Sequence, residues 1–302
     1  MEIFTTVPPV CSGKTAVALG FFDGVHIGHR SVISAACAKK NLSPVVYTFA
    51  KSPKTCVTGK TVPALMTDWD KRSVIQSLGA QRLYTVDFNS VRSLSPEKFI
   101  KSVLKEGLNA QEVFCGFNYR FGVNGSGDVD LLCRECGKLG INVTVIPPVK
   151  LDGNVVSSTR IRSELGTGGV LLANKMLGRR FSYSSQIIHG RRLGRTIGSP
   201  TINQQIPQEL VTPKFGVYVS EVSVGGKVYR GVTNIGVKPT VGSDTAVSET
   251  WLIGYSGGEL YGENARVSLV GFLREEQKFS SIDELKEAIQ NDAKNAAEFK
   301  LQ

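Results

Sequence analysis

The first half of the chain alternates short apolar runs with helical patterns, and this alternation restricts the fold more than any other feature. The runs have the length of buried strands, and helix signals separate them, such as the N-cap pair Ser95-Pro96 and the C-terminal Gly79. Strands that alternate with helices of this length predict βαβ units and a parallel sheet. The predicted strands are 16–22, 45–49, 82–87, 112–116 and 141–146, and the predicted helices are 30–40, 70–78, 96–106 and 129–139.

The pattern changes near Arg179 to short β-like segments separated by glycine and proline turns. Regularly spaced short strands are typical of a compact barrel. A capping box from Ser281 to Glu284 then begins a closing helix. We therefore predict an α/β domain over residues 1–178 and a β-barrel with a closing helix over residues 179–302. The predicted barrel strands are 180–188, 216–224, 228–234, 246–254 and 265–273.

The net charge of +10 over 302 residues is compatible with nucleic acid or with small polyanions such as ATP. Between Gly166 and Gln208 there are six basic residues and no acidic one. This local excess favours a phosphate site, with an RNA-binding patch as the alternative. No apolar run approaches the roughly 18 residues that a membrane span needs.

All six cysteines lie between Cys11 and Cys136, which does not resemble a disulfide framework. No secretory signal is visible at the N-terminus, so we expect a reducing, cytoplasmic location. Cys133 and Cys136 form a CxxC within a predicted helix, and no second pair exists. We interpret this pair as structural, with a redox or metal role as the alternative.

The decapeptide from Gly20 to His29 follows a buried strand and precedes a helix. Free backbone N–H groups and the positive end of the helix dipole meet at such a turn and attract anions. His26 and His29 stand three residues apart, which places both on one face of the first helical turn. The HxGH pattern is typical of nucleotidylyltransferases, which attack the α-phosphate of a nucleotide. The alternatives are capping or surface histidines, or a zinc site that lacks a third ligand.

Three further segments carry polar and aromatic side chains suited to ligand binding. Residues 116–122 end a strand in glycines and aromatic residues, with Asn118 as a hydrogen-bonding group; an ordinary hydrophobic turn is the alternative. Residues 157–162 begin a helix with hydroxyls and two arginines, which predicts a second anion site or simply an N-cap with surface arginines. Residues 190–203 combine phosphate-approaching glycines with arginines, and Thr201 and Asn203 offer oxygens that suit Mg²⁺.

Together these segments resemble the bacterial bifunctional riboflavin kinase/FMN adenylyltransferase family over about residues 14–297. The family patterns GxFDGVHxGH and S-S-T-x-I-R match residues 20–29 and 157–162, and residues 116–122 are similar to its aromatic glycine-rich segment. The resemblance implies a Rossmann-like, nucleotidylyltransferase-type domain that adenylylates FMN to FAD. It also implies a flavokinase barrel that phosphorylates riboflavin to FMN.

The resemblance also implies roles for individual residues, with ATP as co-substrate, Mg²⁺ as cofactor, and FMN and FAD as substrate and product. The catalytic residues would be His26, His29 and Glu249, the last as general base for the riboflavin hydroxyl. The magnesium ligands would be Thr201 and Asn203, and the flavin-binding residues Pro63, Phe117, Asn118, Phe121 and Arg274. The nucleotide-binding residues would be Gly20, Phe22, Asp23, Gly24, Gly28, Ser158, Thr159, Arg160, Arg162, Gly190, Arg191, Leu193, Gly194, Gly198 and Pro200.

The barrel departs from the family pattern in three places. Ile202 replaces the alanine of the usual Pro-Thr-Ala-Asn, Lys238 replaces a common arginine, and residues 251–258 lack the usual Asp-Phe. One alternative is therefore a monofunctional FMN adenylyltransferase with a degenerate barrel. A second is an RNA- or flavin-binding regulator on the same fold. We expect small-molecule partners, no nucleic acid and no membrane, and make no prediction of oligomeric state.

Overall fold

The computed structural model describes residues 1–6, 13–189, 201–240 and 243–300, except for the side chains of 238–245. The chain forms two compact units, one of residues 1–62 and 68–157, the other of residues 63–67 and 158–302. The second unit also contains two helices that precede residue 178. The predicted domain boundary after residue 178 therefore stays a prediction. Among the described helices, none combines the length and the apolar character needed to cross a bilayer.

The first unit is built on a six-stranded sheet in which every strand pair is parallel. The strands are β1 (Glu2–Phe4), β2 (Thr15–Leu19), β3 (Ser43–Phe49), β4 (Arg82–Val86), β5 (Ala110–Gly116) and β6 (Asn142–Ile146), in the order β1-β4-β3-β2-β5-β6. All five residues of β2 are buried, as expected for a strand covered on both faces. The chain order switches sides at β2, where open parallel sheets bind ligands beyond the carboxyl ends of their strands. The predicted parallel α/β fold is confirmed.

The helices of the first unit follow the predicted positions with shifted ends. They are α1 (Ile27–Cys37), α2 (Pro53–Thr58), α3 (Asp68–Ser77), α4 (Pro96–Lys98, continuing as a π-helix over Phe99–Gly107) and α5 (Val129–Lys138), followed by the hairpin of β7 (Lys150–Leu151) and β8 (Asn154–Val155). α1 begins three residues before its predicted start, because His26 provides the N-cap. Strand β1 and helix α2 were not predicted, since each is too short for a clear periodicity.

The second unit contains the predicted barrel. Its elements are α6 (Ser158–Thr167), α7 (Val170–Leu177), β9 (Ser182–Gln186), β10 (Thr201–Gln205), β11 (Gly216–Val224), β12 (Lys227–Thr240), β13 (Ser243–Leu252), β14 (Asn264–Arg274) and α8 (Ile282–Glu298). The strands are antiparallel in the order β10-β13-β12-β11-β14-β9. An antiparallel bridge, with Ile188 N donating to Asn203 O at 2.8 Å, connects the two ends and nearly closes the barrel.

Strand β10 was not predicted, because only one of its five residues is apolar. Its Gln204 is fully buried, and the amide nitrogen donates to the carbonyls of Ser185 at 2.7 Å and Ala265 at 2.8 Å. These bonds satisfy the amide nitrogen of a polar side chain inside the barrel, where hydropathy alone predicts an apolar one, while its Oε1 has no hydrogen-bond partner among the described residues.

The closing helix α8 packs on the outer face of the barrel through a small apolar cluster that includes Val217, Val232 and Ala296. Ser281 caps the helix by accepting a hydrogen bond from Glu284 N at 3.2 Å, as predicted. The Glu284 carboxylate accepts from the backbone N–H of Ser280 rather than from Ser281, so the capping box is offset by one residue.

Candidate active sites

In the first unit, the turn after β2 has a backbone that few residues adopt. Phe22 lies in the left-handed region with φ of 54°, and Gly24 follows with φ of 79°. A Cβ on Gly20 would stand 2.7 Å from the Phe22 ring, so only glycine leaves room for that buried ring. Asp23, within this turn, is 5% exposed. The Gly20–Gly24 pattern thus encodes one particular compact turn.

The two histidines of the motif form a stacked pair directly after this turn. His29 N donates to His26 Nδ1 at 3.2 Å, and the ring centroids are 3.5 Å apart. His26 is therefore the N-cap residue of α1 rather than a member of its first turn, although the predicted proximity of the rings is found. A Cβ on Gly28 would approach His26 Cε1 to 3.2 Å, so the glycine between them gives the ring its space.

Both histidines are neutral at pH 7. Burial lowers the pKa of His26 to about 4. The pKa of His29 is well below its usual value, first because of burial and then because His26 and Lys71 disfavour a further positive charge. Since His26 Nδ1 accepts the His29 N–H, we assign the proton of His26 to Nε2. The pair thus presents hydrogen-bond donors, not cations, to an anion at the start of α1.

Sequence reasoning missed Lys71, which lies behind this turn. Its side chain on α3 is buried, and its ammonium donates to Phe21 O at 2.6 Å and to Thr48 Oγ1 at 2.9 Å. The missed signal is its helical spacing, because Lys71 precedes the buried Ile75 by four residues and so shares its face.

The first unit also contains a cavity of about 550 Å³ among aromatic side chains. Of the predicted flavin-binding residues of this unit, Phe121 lines it, whereas Phe117 and Asn118 do not belong to its lining. Phe117 is 42% exposed on the turn after β5. Tyr119, from the same predicted segment, and Phe99 also line it, together with Phe49 and Phe88, which sequence reasoning missed. The cations Lys54, Arg92 and Arg120 complete this part of the lining.

In the second unit, α6 begins at Ser158, so Ser158, Thr159 and Arg160 form its first turn, close to the predicted start. Arg162 Nε donates to the carbonyl of Pro63 at 2.7 Å. The structure thus brings together two predicted site residues that are 99 positions apart.

The barrel aligns the predicted kinase residues in one row across five neighbouring strands. Asn203 of β10 pairs with Glu249 of β13, which pairs with Asn234 of β12. Val217 of β11 pairs with Asn234 on one side and Arg274 of β14 on the other. Directly paired residues have Cβ atoms about 5 Å apart and share a face. Residues separated by up to 71 positions therefore form one row of four polar side chains, with Val217 between Asn234 and Arg274.

A cavity of about 260 Å³ lies between this row and α8. It is lined by Thr201, Glu249, Trp251 and Arg274 from the barrel and by Asp292 from the helix. The Asp292 carboxylate, nearly fully buried, accepts from Arg274 Nη2 at 2.7 Å and from Nε at 3.1 Å. This pair fixes the predicted flavin-binding arginine from the helix side. Asp292 gave no recognisable sequence signal, because it is one of several acidic residues on α8.

The departures from the family pattern fall at different places in the barrel. Ile202 alternates with Thr201 and Asn203 and pairs with the buried Thr250, so its side chain faces away from the cavity. Trp251, the first residue of the unusual segment, lines the cavity itself. The side chain of Lys238 lies outside the described residues. So do the predicted phosphate-loop residues Gly190, Arg191, Leu193, Gly194, Gly198 and Pro200.

Two family models match the chain, FAD synthetase over residues 9–160 and riboflavin kinase over residues 177–300. The bifunctional riboflavin kinase/FMN adenylyltransferase of Bacillus subtilis is 36% identical over 95% of this chain and 92% of its own length. The enzyme of the same name from Pseudomonas fluorescens is 35% identical over 91% and 89%. A solved structure described as a macrolide-efflux protein from Streptococcus pneumoniae is 27% identical, covers 99% of this chain and all of its own, and has a TM-score of 0.91.

A nucleotidylyltransferase-type sheet with an HxGH turn and a flavokinase-type barrel define a two-domain transferase class. This chain belongs to the bifunctional riboflavin kinase/FMN adenylyltransferase family, which confirms the resemblance identified from the sequence.

Proposed function

We propose that this chain phosphorylates riboflavin to FMN with ATP in its second unit and adenylylates FMN to FAD in its first. The observation that supports two reactions is that each unit has its own polar site and its own cavity. The names of the relatives agree with this assignment.

In the adenylyl transfer, an oxygen of the FMN phosphate attacks the α-phosphorus of ATP. The bond between that phosphorus and the bridging oxygen breaks, and pyrophosphate leaves. We assign His26 and His29 to the ATP phosphates, where their N–H groups and the α1 N-terminus offset the charge that develops on the leaving group. Gly20, Phe22, Asp23, Gly24 and Gly28 shape the turn that places them. The nucleotide-binding roles of Ser158, Thr159, Arg160 and Arg162, which belong to the second unit, stay a prediction from the family pattern.

The aromatic cavity of the first unit suits a flat, largely apolar ring. We assign it to the isoalloxazine of FMN, with Phe121 as the contact that was predicted. Phe117, Asn118 and Pro63 lie outside its lining, so their flavin roles rest on the family pattern alone.

In the phosphorylation, the 5′-hydroxyl oxygen of riboflavin attacks the γ-phosphorus of ATP, and ADP leaves. Glu249 accepts the proton of that hydroxyl. Thr201 and Asn203 fit Mg²⁺ because both are oxygen donors on the face of β10 that Glu249 shares. Bound there, Mg²⁺ would neutralise phosphate charge. Among the residues the structure describes, no three His, Cys, Asp or Glu side chains are grouped to hold a metal. Arg274, held by Asp292, is assigned to the flavin.

The intact row of Asn203, Glu249 and Arg274 supports a working kinase over the monofunctional alternative, since Ile202 faces away from it. We also propose a cytoplasmic location, supported by five free cysteines among the described residues.

The test is incubation of the full chain with ATP and Mg²⁺ and either riboflavin or FMN, followed by chromatography of every flavin. We expect riboflavin to yield FMN and then FAD, and FMN to yield FAD directly. FAD from FMN but no product from riboflavin would establish the monofunctional alternative. No turnover of either flavin, together with salt-sensitive RNA binding, would establish a regulator.

A further inference from the structure

We propose that Lys71 is a positioning residue for adenylyl transfer, which acts by holding the Phe21 carbonyl and with it the turn that carries His26 and His29. The inference rests on the proposed role of the two histidines.

The Phe21 carbonyl is held from two sides. Thr48, at the carboxyl end of β3, donates its hydroxyl to Phe21 O at 2.7 Å. Lys71 Nζ, from α3, donates to the same oxygen at 2.6 Å and lies 4.7 Å from the centroid of the Phe21 ring. Lys71 Nζ also donates to Thr48 Oγ1. Three groups from three segments of the chain thus form one closed triangle of hydrogen bonds.

This carbonyl belongs to the peptide that enters the strained turn. The next residue, Phe22, has a positive φ, which a bulky side chain adopts only when its surroundings impose it. The orientation of the 21–22 peptide sets the direction of the backbone through Asp23 and Gly24. It thereby sets the position of His26, two residues after Gly24. The triangle therefore sets the entry to the histidine pair, although no atom of it lies in the HxGH sequence.

Burying a lysine ammonium costs free energy that a neutral hydrogen-bond donor would not cost. This cost argues that the charge of Lys71 has a role. Burial lowers the pKa of Lys71 to about 8, while Asp23 on the turn and Asp68 on its own helix favour the charged form. The ammonium in turn helps to keep His29 neutral. Lys71 is thus linked to the histidine pair both by backbone geometry and by charge.

The experiment compares Lys71→Met, Lys71→Arg and Thr48→Val in the full chain, with Lys101→Met, an exposed lysine of the same unit, as the matched control. Riboflavin phosphorylation serves as the internal standard, because its proposed residues lie in the other unit. We expect Lys71→Met to lower kcat for adenylyl transfer about 10- to 100-fold, as misplaced catalytic groups do. Phosphorylation and the Lys101→Met variant should stay within about two-fold of wild type.

The pH profile separates positioning from mere structural support. Without the ammonium, the pKa of His29 rises, so the acid limb of adenylyl transfer should move to higher pH in Lys71→Met. The limb should stay in place in Thr48→Val, which lowers kcat but keeps the charge, and in Lys71→Arg. Equal losses of both activities, or an unmoved acid limb in Lys71→Met, would overturn the proposal. If Lys71→Met does not fold, Thr48→Val decides, and unchanged adenylyl transfer in that variant overturns the proposal.

His29→Ala, measured alongside, distinguishes this inference from the proposed function. If His29→Ala transfers adenylyl groups at the wild-type rate, the assignment of the histidines fails. If His29→Ala is inactive while Lys71→Met equals wild type, only the role of Lys71 fails.

Discussion

The two candidate sites are built in opposite ways. The histidine site comes from ten consecutive residues at a strand–helix junction, and its two imidazoles are neutral and closely stacked. The kinase row takes one residue from each of five antiparallel strands, and four of the five, all but Asn203, line a cavity under α8. A local site depends on backbone conformation and glycine space, whereas a distributed site depends on register and on the helix that covers it. The two should therefore fail under different substitutions.

The largest expected effects come from removing the proposed catalytic side chain at each site. His29→Ala should lower FAD formation from FMN by about 10²- to 10³-fold, because it removes a donor to developing phosphate charge. Glu249→Ala should lower FMN formation by about 10²- to 10⁴-fold through loss of the general base. Each variant should retain the other activity, measured with riboflavin and FMN as separate substrates. Parallel loss of both activities in both variants would contradict the two-site assignment.

A smaller effect is expected at the helix that covers the kinase row. Asp292→Ala leaves Arg274 without its buried carboxylate, so we expect KM for riboflavin to rise about ten-fold and the free energy of unfolding of the second unit to fall by about 1–3 kcal/mol. Glu287→Ala, an exposed carboxylate on the same helix, is the control. Steady-state kinetics and thermal unfolding measure both quantities. An unchanged KM in Asp292→Ala would contradict the assignment of Arg274 to the flavin site.

A pair of glycine substitutions tests the close packing of the histidine site. In Gly28→Ala the new methyl presses on the His26 ring, and we expect adenylyl transfer to fall about ten-fold with phosphorylation unchanged. Gly137→Ala in α5 meets no atom within 4 Å and should stabilise the first unit by about 0.5–1 kcal/mol with both activities intact. Equal rates for the two variants would show that the ring tolerates displacement.

A last effect concerns the pH dependence of stability. Between pH 6.5 and about 4 the unfolded chain binds a proton at His26 that the folded chain excludes, so acid favours unfolding in that window. The free energy of unfolding of the first unit should therefore fall as the pH drops through it, and less steeply in His26→Gln. Hydrogen exchange of peptides from β2 and β5 reports this unit alone. Identical slopes in wild type and variant would mean that His26 is not protected from protonation.

The local site was predicted well because its information is contiguous. The Gly20–His29 segment contains the strand end, the glycines and both rings, so motif and spacing were sufficient to place them together. Only the identity of the cap was missed, since a histidine at an N-cap is an unusual choice. Lys71 was missed because its partners, Phe21 and Thr48, are 50 and 23 positions away.

The distributed site was predicted only in fragments. The motif residues Thr201, Asn203 and Glu249 were identified, but Asp292 carried no pattern that distinguishes it from a surface polar residue. The aromatic cavity of the first unit was likewise predicted only in its 116–122 wall, since the end of β3, α2 and the segment after β4 contribute other walls from separate parts of the chain.

The amino-acid order alone determined the alternation of strands and helices, the change to a barrel, the histidine turn and the family. Each of these depends on neighbouring residues and on short-range periodicity. Tertiary structure alone decided which distant side chains meet: Lys71 with Phe21, Arg274 with Asp292, Asn203 with Glu249. Such pairings depend on strand register and on how helices seat on a sheet. Those are set by the packing of the whole core and not by any local stretch of the chain.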